Sequence, residues 1–193
     1  KGQQTSSKTL EWVHHGNVGY IFPKGGNIVI KKGEVTGSWR RLNRQTTVSD
    51  KPVSNNIFSL YLNHGQEPQN GQYAYIVAPQ ASIEQTQKLA QSKDITIISN
   101  NPDLQAVKYG EIIYAAFYKS GEMKIDKHLS VSVDAPSLLI LKCNNSKTGK
   151  IVLSDPTHKS DKINISIKSG KKTTSHNVIL PKDQLAGSNV KSL

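Results

Sequence analysis

The sequence predicts an all-β fold, with antiparallel β-sandwich strands in two successive blocks joined by one short helix. Three observations carry this. Residues 11–22 read as strand, tight turn and strand, with Gly16-Asn17 at the turn, two residue types that tolerate positive φ. Residues 95–180 break into short apolar segments separated by turn-formers, the pattern of a sandwich. Helical periodicity occurs only once, after Ser82.

In the opening hairpin, alternation sends Glu11, Val13 and His15 to one face and Trp12 and His14 to the other. The pair His14-His15 has three readings: a metal pair, an acid/base pair or sheet packing. No cysteine or acidic residue lies at ligand spacing nearby, which argues against metal, and the structural reading is favoured. Residues 1–8 are polar and read as a frayed edge or one set by expression. A strand over 27–32 follows and is closed by Gly33. Residues 37–44 then bring Trp39, Arg40, Arg41 and Arg44 together, and 48–56, with Pro52 and two asparagines, reads as a loop.

Residues 57–65 form a strong strand pattern. Ile57, Ser59, Tyr61 and Asn63 share one face; Phe58, Leu60, Leu62 and His64 share the other. A turn-rich stretch, 66–71, leads to a return strand over 72–79, so the two segments predict a long antiparallel hairpin. Ser82 and Gln85 have capping-box spacing, and Ile83, Thr86, Leu89 and Ala90 follow at helical intervals, which predicts a helix over 83–91. It divides the chain into residues 1–92 and 93–193.

In the second block, strands are predicted over 95–99, 104–109, 112–118, 124–125, 129–133, 137–142, 150–154, 163–167 and 177–180. The separators include Asn100-Asn101-Pro102-Asp103, Asp134-Ala135-Pro136 and Ser169-Gly170. Residues after Pro181 read as a polar tail.

Composition narrows the function classes. The net charge is +11, and it is even: residues 1–92 carry 10 basic and 5 acidic side chains, and 93–193 carry 15 and 9. An evenly basic surface favours polyanions, with a Lys-rich solvated face as the common alternative. Clustered Arg/Lys with interleaved aromatics, the footprint of a nucleic-acid binder, is missing, so nucleic acid is not an expected partner. The longest apolar run, Ser137-Leu138-Leu139-Ile140-Leu141, is strand length, so no membrane span is expected. One cysteine, Cys143, excludes an internal disulfide framework. It alternates onto the face of Leu139 and Leu141, as a buried structural thiol would. The chain opens on Lys1 with neither an initiating Met nor a signal peptide. It therefore reads as a processed protein or a piece of a longer one.

The order of motifs carries a resemblance. Trp12-Val13-His14-His15-Gly16-Asn17-Val18-Gly19-Tyr20 comes first, followed by Thr36-Gly37-Ser38-Trp39-Arg40-Arg41-Leu42-Asn43. His64-Gly65 and Tyr73-Ala74-Tyr75-Ile76-Val77-Ala78-Pro79 come next. Asn100-Asn101-Pro102-Asp103-Leu104-Gln105-Ala106-Val107 and Leu153-Ser154-Asp155-Pro156-Thr157 continue the match. Together they resemble polysaccharide lyase family 8, the family of chondroitin AC, hyaluronate and xanthan lyases, and most of all its chondroitin AC type. The resemblance implies an enzyme several times longer, built of an α/α toroid, a large central β-sandwich and a small C-terminal β-sandwich. This chain would supply the last strands of the central sandwich and the C-terminal domain. The implied chemistry is β-elimination at a uronic acid: a base removes the C5 proton, the carboxylate charge is neutralised and the 4-linked oxygen leaves with a proton. The family's catalytic Asn, His, Tyr, Arg and Glu match no position here, so no catalytic residue is assigned.

That agrees with the residues themselves. Elimination needs a base, an acid and a cationic clamp within hydrogen-bond reach. Tyr20, His14, His15 and Arg40 are close in sequence, but alternation along strands keeps them from converging unaided. Substrate-binding candidates are Arg40, Arg41, Arg44, Trp39, His14 and His15. For the arginines, contact with an anionic sugar competes with salt bridging and surface charge, which is favoured. For Trp12 and Trp39, sugar stacking competes with core packing, also favoured. Lys171-Lys172 reads as an exposed turn, with polyanion contact as its alternative. Asn144-Asn145-Ser146 and Asn164-Ile165-Ser166 match the glycosylation sequon, an accident in a bacterial protein.

The expected function is the C-terminal, non-catalytic part of a secreted or periplasmic glycosaminoglycan lyase, supporting the cleft and holding chondroitin sulfate or hyaluronan. Alone it would be inactive. The partners expected are an anionic polysaccharide and the upstream toroid and sandwich of the same polypeptide. No cofactor or metal is expected in this chain, and calcium is left open for the parent enzyme. The alternative is a stand-alone carbohydrate-binding β-sandwich module for anionic polysaccharides.

Overall fold

The computed structural model describes residues 2–144 and 147–192. The chain divides into two units, residues 1–91 and 92–193, which are taken separately. Both are built from antiparallel sheets, as the sequence predicts.

The first unit runs β1 (Gln3–Ser7), β2 (Trp12–His15), β3 (Val18–Ile21), β4 (Ile28–Gly37), α1 (Trp39–Leu42), β5 (Val53–Leu62), β6 (Ile76–Pro79) and α2 (Ile83–Gln91). They form two three-stranded sheets, ordered β1-β4-β5 and β2-β3-β6. Gly16 and Asn17 both lie at positive φ, 57° and 59°, as a two-residue primed turn requires. That turn sets the register His15↔Val18 through Trp12↔Ile21. Ile21, Phe22, Ile28 and Val29 are the buried apolar residues of this unit.

Helix α2 has the limits the capping box predicts. The Gln85 N–H donates to Ser82 Oγ (3.2 Å) and the Ser82 N–H donates to Gln85 Oε1 (2.7 Å). Thr86 is wholly buried, and its hydroxyl donates to the Ser82 carbonyl at 2.7 Å. A Cβ on Gly19 would lie 2.5 Å from Thr86 Oγ1 and 2.8 Å from Cγ2. Only glycine lets the helix sit this close to β3.

Several predicted boundaries are corrected. The frayed edge predicted over 1–8 gives way to strand at Gln3–Ser7, which pairs with β4 along its length. Gly33 does not end its strand. A Cβ there would come 2.5 Å from the Gly2 Cα, so the glycine admits the chain beside it, and β4 continues to Gly37. The predicted loop over 48–56 gives way at Val53, where β5 begins its ten-residue pairing with β4. The predicted hairpin between 57–65 and 72–79 does not form. Gly65, Glu67 and Asn70 sit at positive φ and turn the chain away, and the short β6 pairs with β3 instead. β5 already has β4 as its partner.

The second unit contains β7 (Ile95–Asn100), β8 (Leu104–Tyr109), β9 (Ile112–Phe117), β10 (Gly121–Lys124), β11 (Leu129–Val133), β12 (Ser137–Asn144), β13 (Lys147–Ser154), β14 (Lys162–Ser169), β15 (Lys172–Ile179) and β16 (Val190–Ser192). A six-stranded sheet, β16-β13-β12-β9-β8-β7, and a four-stranded one, β10-β11-β14-β15, enclose one core. Period-two alternation fills that core with Ile113, Leu139, Leu141, Ile163, Ile165, Val131 and Met123. Cys143 is buried, as its alternation with Leu139 and Leu141 predicts.

Three predictions here are amended, and the second sequon is placed. The strand predicted at 124–125 is β10, which ends at Lys124, with Ile125 packed against the core beyond it. The strand predicted at 177–180 begins earlier, at Lys172, and pairs with β14 over eight residues. The polar stretch after Pro181 is not a tail: Val190 to Ser192 pair with β13, and Val190 packs on the core. In the first sequon, Asn145 and Ser146 lie outside the described residues. In the second, the Asn164 amide donates to Asp134 Oδ2 (2.6 Å) and its carbonyl accepts from Asn177 (2.8 Å).

The turn after β13 is organised by Asp155, a buried carboxylate. It accepts from the Thr157 N–H (2.7 Å) and hydroxyl (2.6 Å), the Lys159 N–H (3.0 Å) and the Ser160 N–H (2.8 Å). Burial opposes its ionisation, but the Thr157 hydroxyl and the Ser160, Thr157 and Lys159 N–H groups outweigh it and lower the carboxyl from 3.8 to about 2.

Two measurements check these contacts. Gly19→Ala is expected to lower stability by about 1–3 kcal/mol through overpacking. Thr86→Ala in the same chain should recover part of that loss, and a double-mutant cycle by chemical denaturation reads the coupling. Because the folded Asp155 carboxyl lies below its unfolded value, its contribution is present in full above pH 3.8 and lost as pH falls toward 2. Asp155→Asn should remove that acid-limb slope. It should also cost about 1–3 kcal/mol at neutral pH, because an amide cannot accept from so many donors.

Candidate functional site

The predicted basic-aromatic cluster is carried by α1, a single helical turn in the connection between β4 and β5. The connection is tied across its base where Ser38 Oγ donates to Asp50 Oδ1 at 3.0 Å. The helix is closed by the Asn43 N–H donating to the Trp39 carbonyl at 2.9 Å. A single turn has no room for a buried stripe, and none of its residues is buried. Trp39 is 62% exposed and Leu42 82% exposed. The core-packing reading of Trp39 is therefore corrected: no sheet of this unit covers it. Trp12 is half-buried in β2.

Arg40, Arg41 and Arg44 are exposed in the same connection. Among the described residues, ion pairs join Lys119 to Asp103, Lys142 to Glu111 and Lys182 to Asp161, and none involves these arginines. Salt bridging is thus not their role within the unit; they present surface charge. Three guanidinium groups beside an exposed indole can receive carboxylate or sulfate groups and stack on a sugar face.

The histidines go to separate neighbours. The Nε2–H of His14 donates to the Ala81 carbonyl at 2.8 Å, tying β2 to the segment that enters α2. Glu84 lies near it. The Ser82 hydroxyl, donating at 2.7 Å, lowers the Glu84 carboxyl below its ordinary value, with His14 adding a smaller electrostatic contribution. His15 stacks on Phe58 of β5, with ring centroids 3.9 Å apart, and so links the two sheets. Neither geometry forms a histidine acid/base pair, and Tyr20 sits in β3 opposite Val13 and Val77. Among the described residues, no group of three His, Cys, Asp or Glu could hold a metal ion.

The structure adds side chains that sequence reasoning passed over. Lys31 Nζ lies 5.4 Å from the Tyr61 ring centroid, and Lys32 Nζ 5.9 Å from that of Phe58. These are cation–π pairs along the β4–β5 arm. In the stretch after β5, Tyr73 and Tyr75 stack at 6.1 Å, and His64 lies 6.0 Å from Tyr73. Both tyrosines are more than half exposed. Their two-residue spacing in an extended segment was the available signal, since it places both rings on one side. The basic and aromatic side chains of this unit are of the types that suit contact with an anionic sugar, and among the described residues Tyr20, His14 and His15 each go to separate neighbours.

Comparison with known proteins decides the family. Residues 1–90 match the profile described as the polysaccharide lyase family 8 super-sandwich domain, and residues 96–164 match its C-terminal β-sandwich domain. The chain belongs to polysaccharide lyase family 8. It is 30% identical over 183 residues to a chondroitinase-AC of Pedobacter heparinus, covering 93% of this chain and 26% of that protein. Over 95 residues it is 32% identical to the hyaluronate lyase HylB of Enterococcus faecalis, covering 49% of this chain and 9% of the relative. A solved chondroitinase AC lyase, studied as enzyme–oligosaccharide complexes, superposes with a TM-score of 0.86 at 29% identity, over 100% of this chain and 28% of its own. The chain thus spans about a quarter of the length of the chondroitinases it resembles.

If the three arginines serve the surface and not the fold, replacing Arg40, Arg41 and Arg44 together by alanine should change stability by no more than about 0.5 kcal/mol per site. Thermal unfolding of the triple variant checks this. A larger loss would mean that they brace the arm.

Proposed function

We propose that this chain is the C-terminal part of a family 8 polysaccharide lyase that cleaves chondroitin-type glycosaminoglycans by β-elimination, and that its role is to bind and support the polymer. Membership of family 8 and the likeness to chondroitinase AC over 93% of the chain support the reaction class. The observation that carries the binding role is the exposed Trp39 with Arg40, Arg41 and Arg44, which have no ion-pair partner among the described residues. The base, the acid and the group that neutralises the uronate lie upstream, in a toroid and the earlier part of the central sandwich. The substrate is a long polyanion that does not cross a bilayer, so the enzyme works outside the cytoplasm, secreted or periplasmic.

Binding by this surface is electrostatic and oriented. Arginine forks donate two parallel hydrogen bonds to a carboxylate or sulfate, and the indole packs on the C–H face of a ring. His14 bonds the Ala81 carbonyl and His15 stacks on Phe58, contacts that hold this part of the unit together.

The test measures ultraviolet absorbance of the unsaturated uronate product, from the intact protein and from this chain separately, with chondroitin sulfate as substrate. Product from the intact protein alone is the expected result. Product from this chain alone would overturn the assignment of chemistry upstream. In the intact protein, the Arg40/Arg41/Arg44→Ala variant should raise KM several-fold with kcat nearly unchanged, and the effect should shrink at high salt. An unchanged KM would remove these residues from the binding surface.

A further inference from the structure

The two outward faces of the second unit's sandwich differ in kind. On the four-stranded sheet the outward residues of β11 and β14 are Ser130, Ser132, Asn164, Ser166 and Lys168, an ordinary alternation of apolar-in and polar-out. The six-stranded sheet breaks that rule. Its inward residues, Ile113, Ala115, Phe117, Leu139 and Leu141, are buried. Yet its outward residues include Tyr109, Ile112, Tyr114, Tyr118, Leu138 and Ile140, which are 37–56% exposed.

Register places them side by side. Tyr109 opposes Ile112, Ile140 opposes Tyr114, and Leu138 opposes Ala116 on three adjacent strands, β8, β9 and β12. Strands β9 and β12 are therefore apolar on both faces. Continuous apolar runs belong to strands covered on both sides, whereas half-covered strands alternate. Lys142, opposite Ile112 on this face, is paired to Glu111 at 3.6 Å. The Tyr118 hydroxyl is used locally, donating to Gln105 Oε1 at 3.1 Å. Tyrosine-rich, charge-depleted surface is the composition of an interface core, and a contiguous apolar patch on a soluble protein marks an interaction site.

We propose that this face is a docking surface for the part of the same polypeptide that precedes residue 1. The inference rests on the reading of the chain as a piece of a longer lyase. Three observations select that occupant. The chondroitinases it resembles are about four times its length, so most of the polypeptide lies outside these residues. A covalently linked partner is present at high effective concentration, so even a modest patch suffices to hold it. A polyanionic sugar is disfavoured, since the patch of Tyr109, Ile112, Tyr114, Tyr118, Leu138 and Ile140 is apolar and the lysine beside Ile112, Lys142, is already paired.

The experiment is hydroxyl-radical footprinting of Tyr109, Tyr114 and Tyr118 in the intact protein and in the 193-residue chain, at several protein concentrations and with and without chondroitin sulfate. The expected result is a several-fold lower labelling rate in the intact protein at every concentration, independent of the sugar, with full labelling in the shorter chain. Rapid labelling in both proteins would overturn the proposal in favour of a solvent face. Protection of the shorter chain that grows with concentration would replace the occupant by a second copy, and protection that appears only with chondroitin sulfate would replace it by the polymer. Uronate product is assayed in parallel. Protection without product would sink the lyase reading and leave the docking surface standing, while product without protection would do the reverse.

Discussion

The close approach of Thr86 to Gly19 is the contact on which the first unit depends. A helix needs a face to bury against, and α2 offers little: Ile83 is 54% exposed and only Thr86 is fully buried. The missing side chain at Gly19 compensates by letting the helix sit down on β3. The reciprocal Ser82–Gln85 cap fixes where the helix begins, and the Thr86 hydroxyl folds back on Ser82 so that a buried polar atom is satisfied. The His14 bond to Ala81 secures the same corner from the sheet side. Seated in this way, the helix follows directly on β6 and holds that four-residue strand beside β3.

Much of this was legible from residue chemistry. Gly16-Asn17 specifies a primed turn, Ser82 with Gln85 a helix start, and alternating Val131 and Ile163 segments a half-buried sheet. Each is a local signal that tertiary structure had no reason to override. The errors share a cause: they concern which strand pairs with which. Residues 57–62 and 76–79 are both strands, but adjacency in sequence suggested a hairpin where β4 and β3 are the partners. Gln3–Ser7 and Val190–Ser192 are too polar or too short to signal a strand by composition, and they become strands because a neighbouring edge offers hydrogen bonds.

The candidate binding residues were legible as a list and not as a surface. Sequence order put Trp39 beside three arginines, but core packing was the favoured reading of the indole, and only the single-turn geometry of α1 shows it exposed. Side-chain pairing across strands, as in His15 on Phe58 or Lys31 over Tyr61, depends on register between segments more than 25 residues apart in sequence.

β16 has a consequence for handling the protein. It adds three residues to the rim of the six-stranded sheet, and by pairing with Ile151 to Leu153 it occupies a row of N–H and C=O groups. Removing it, by a protease acting in the exposed stretch after Pro181 or by a shortened expression boundary, would leave β13 as a bare rim beside a hydrophobic interior. Such a rim recruits strands from other molecules. Residues Val190 to Ser192, unremarkable in composition, thus act as a guard against fibril-like association.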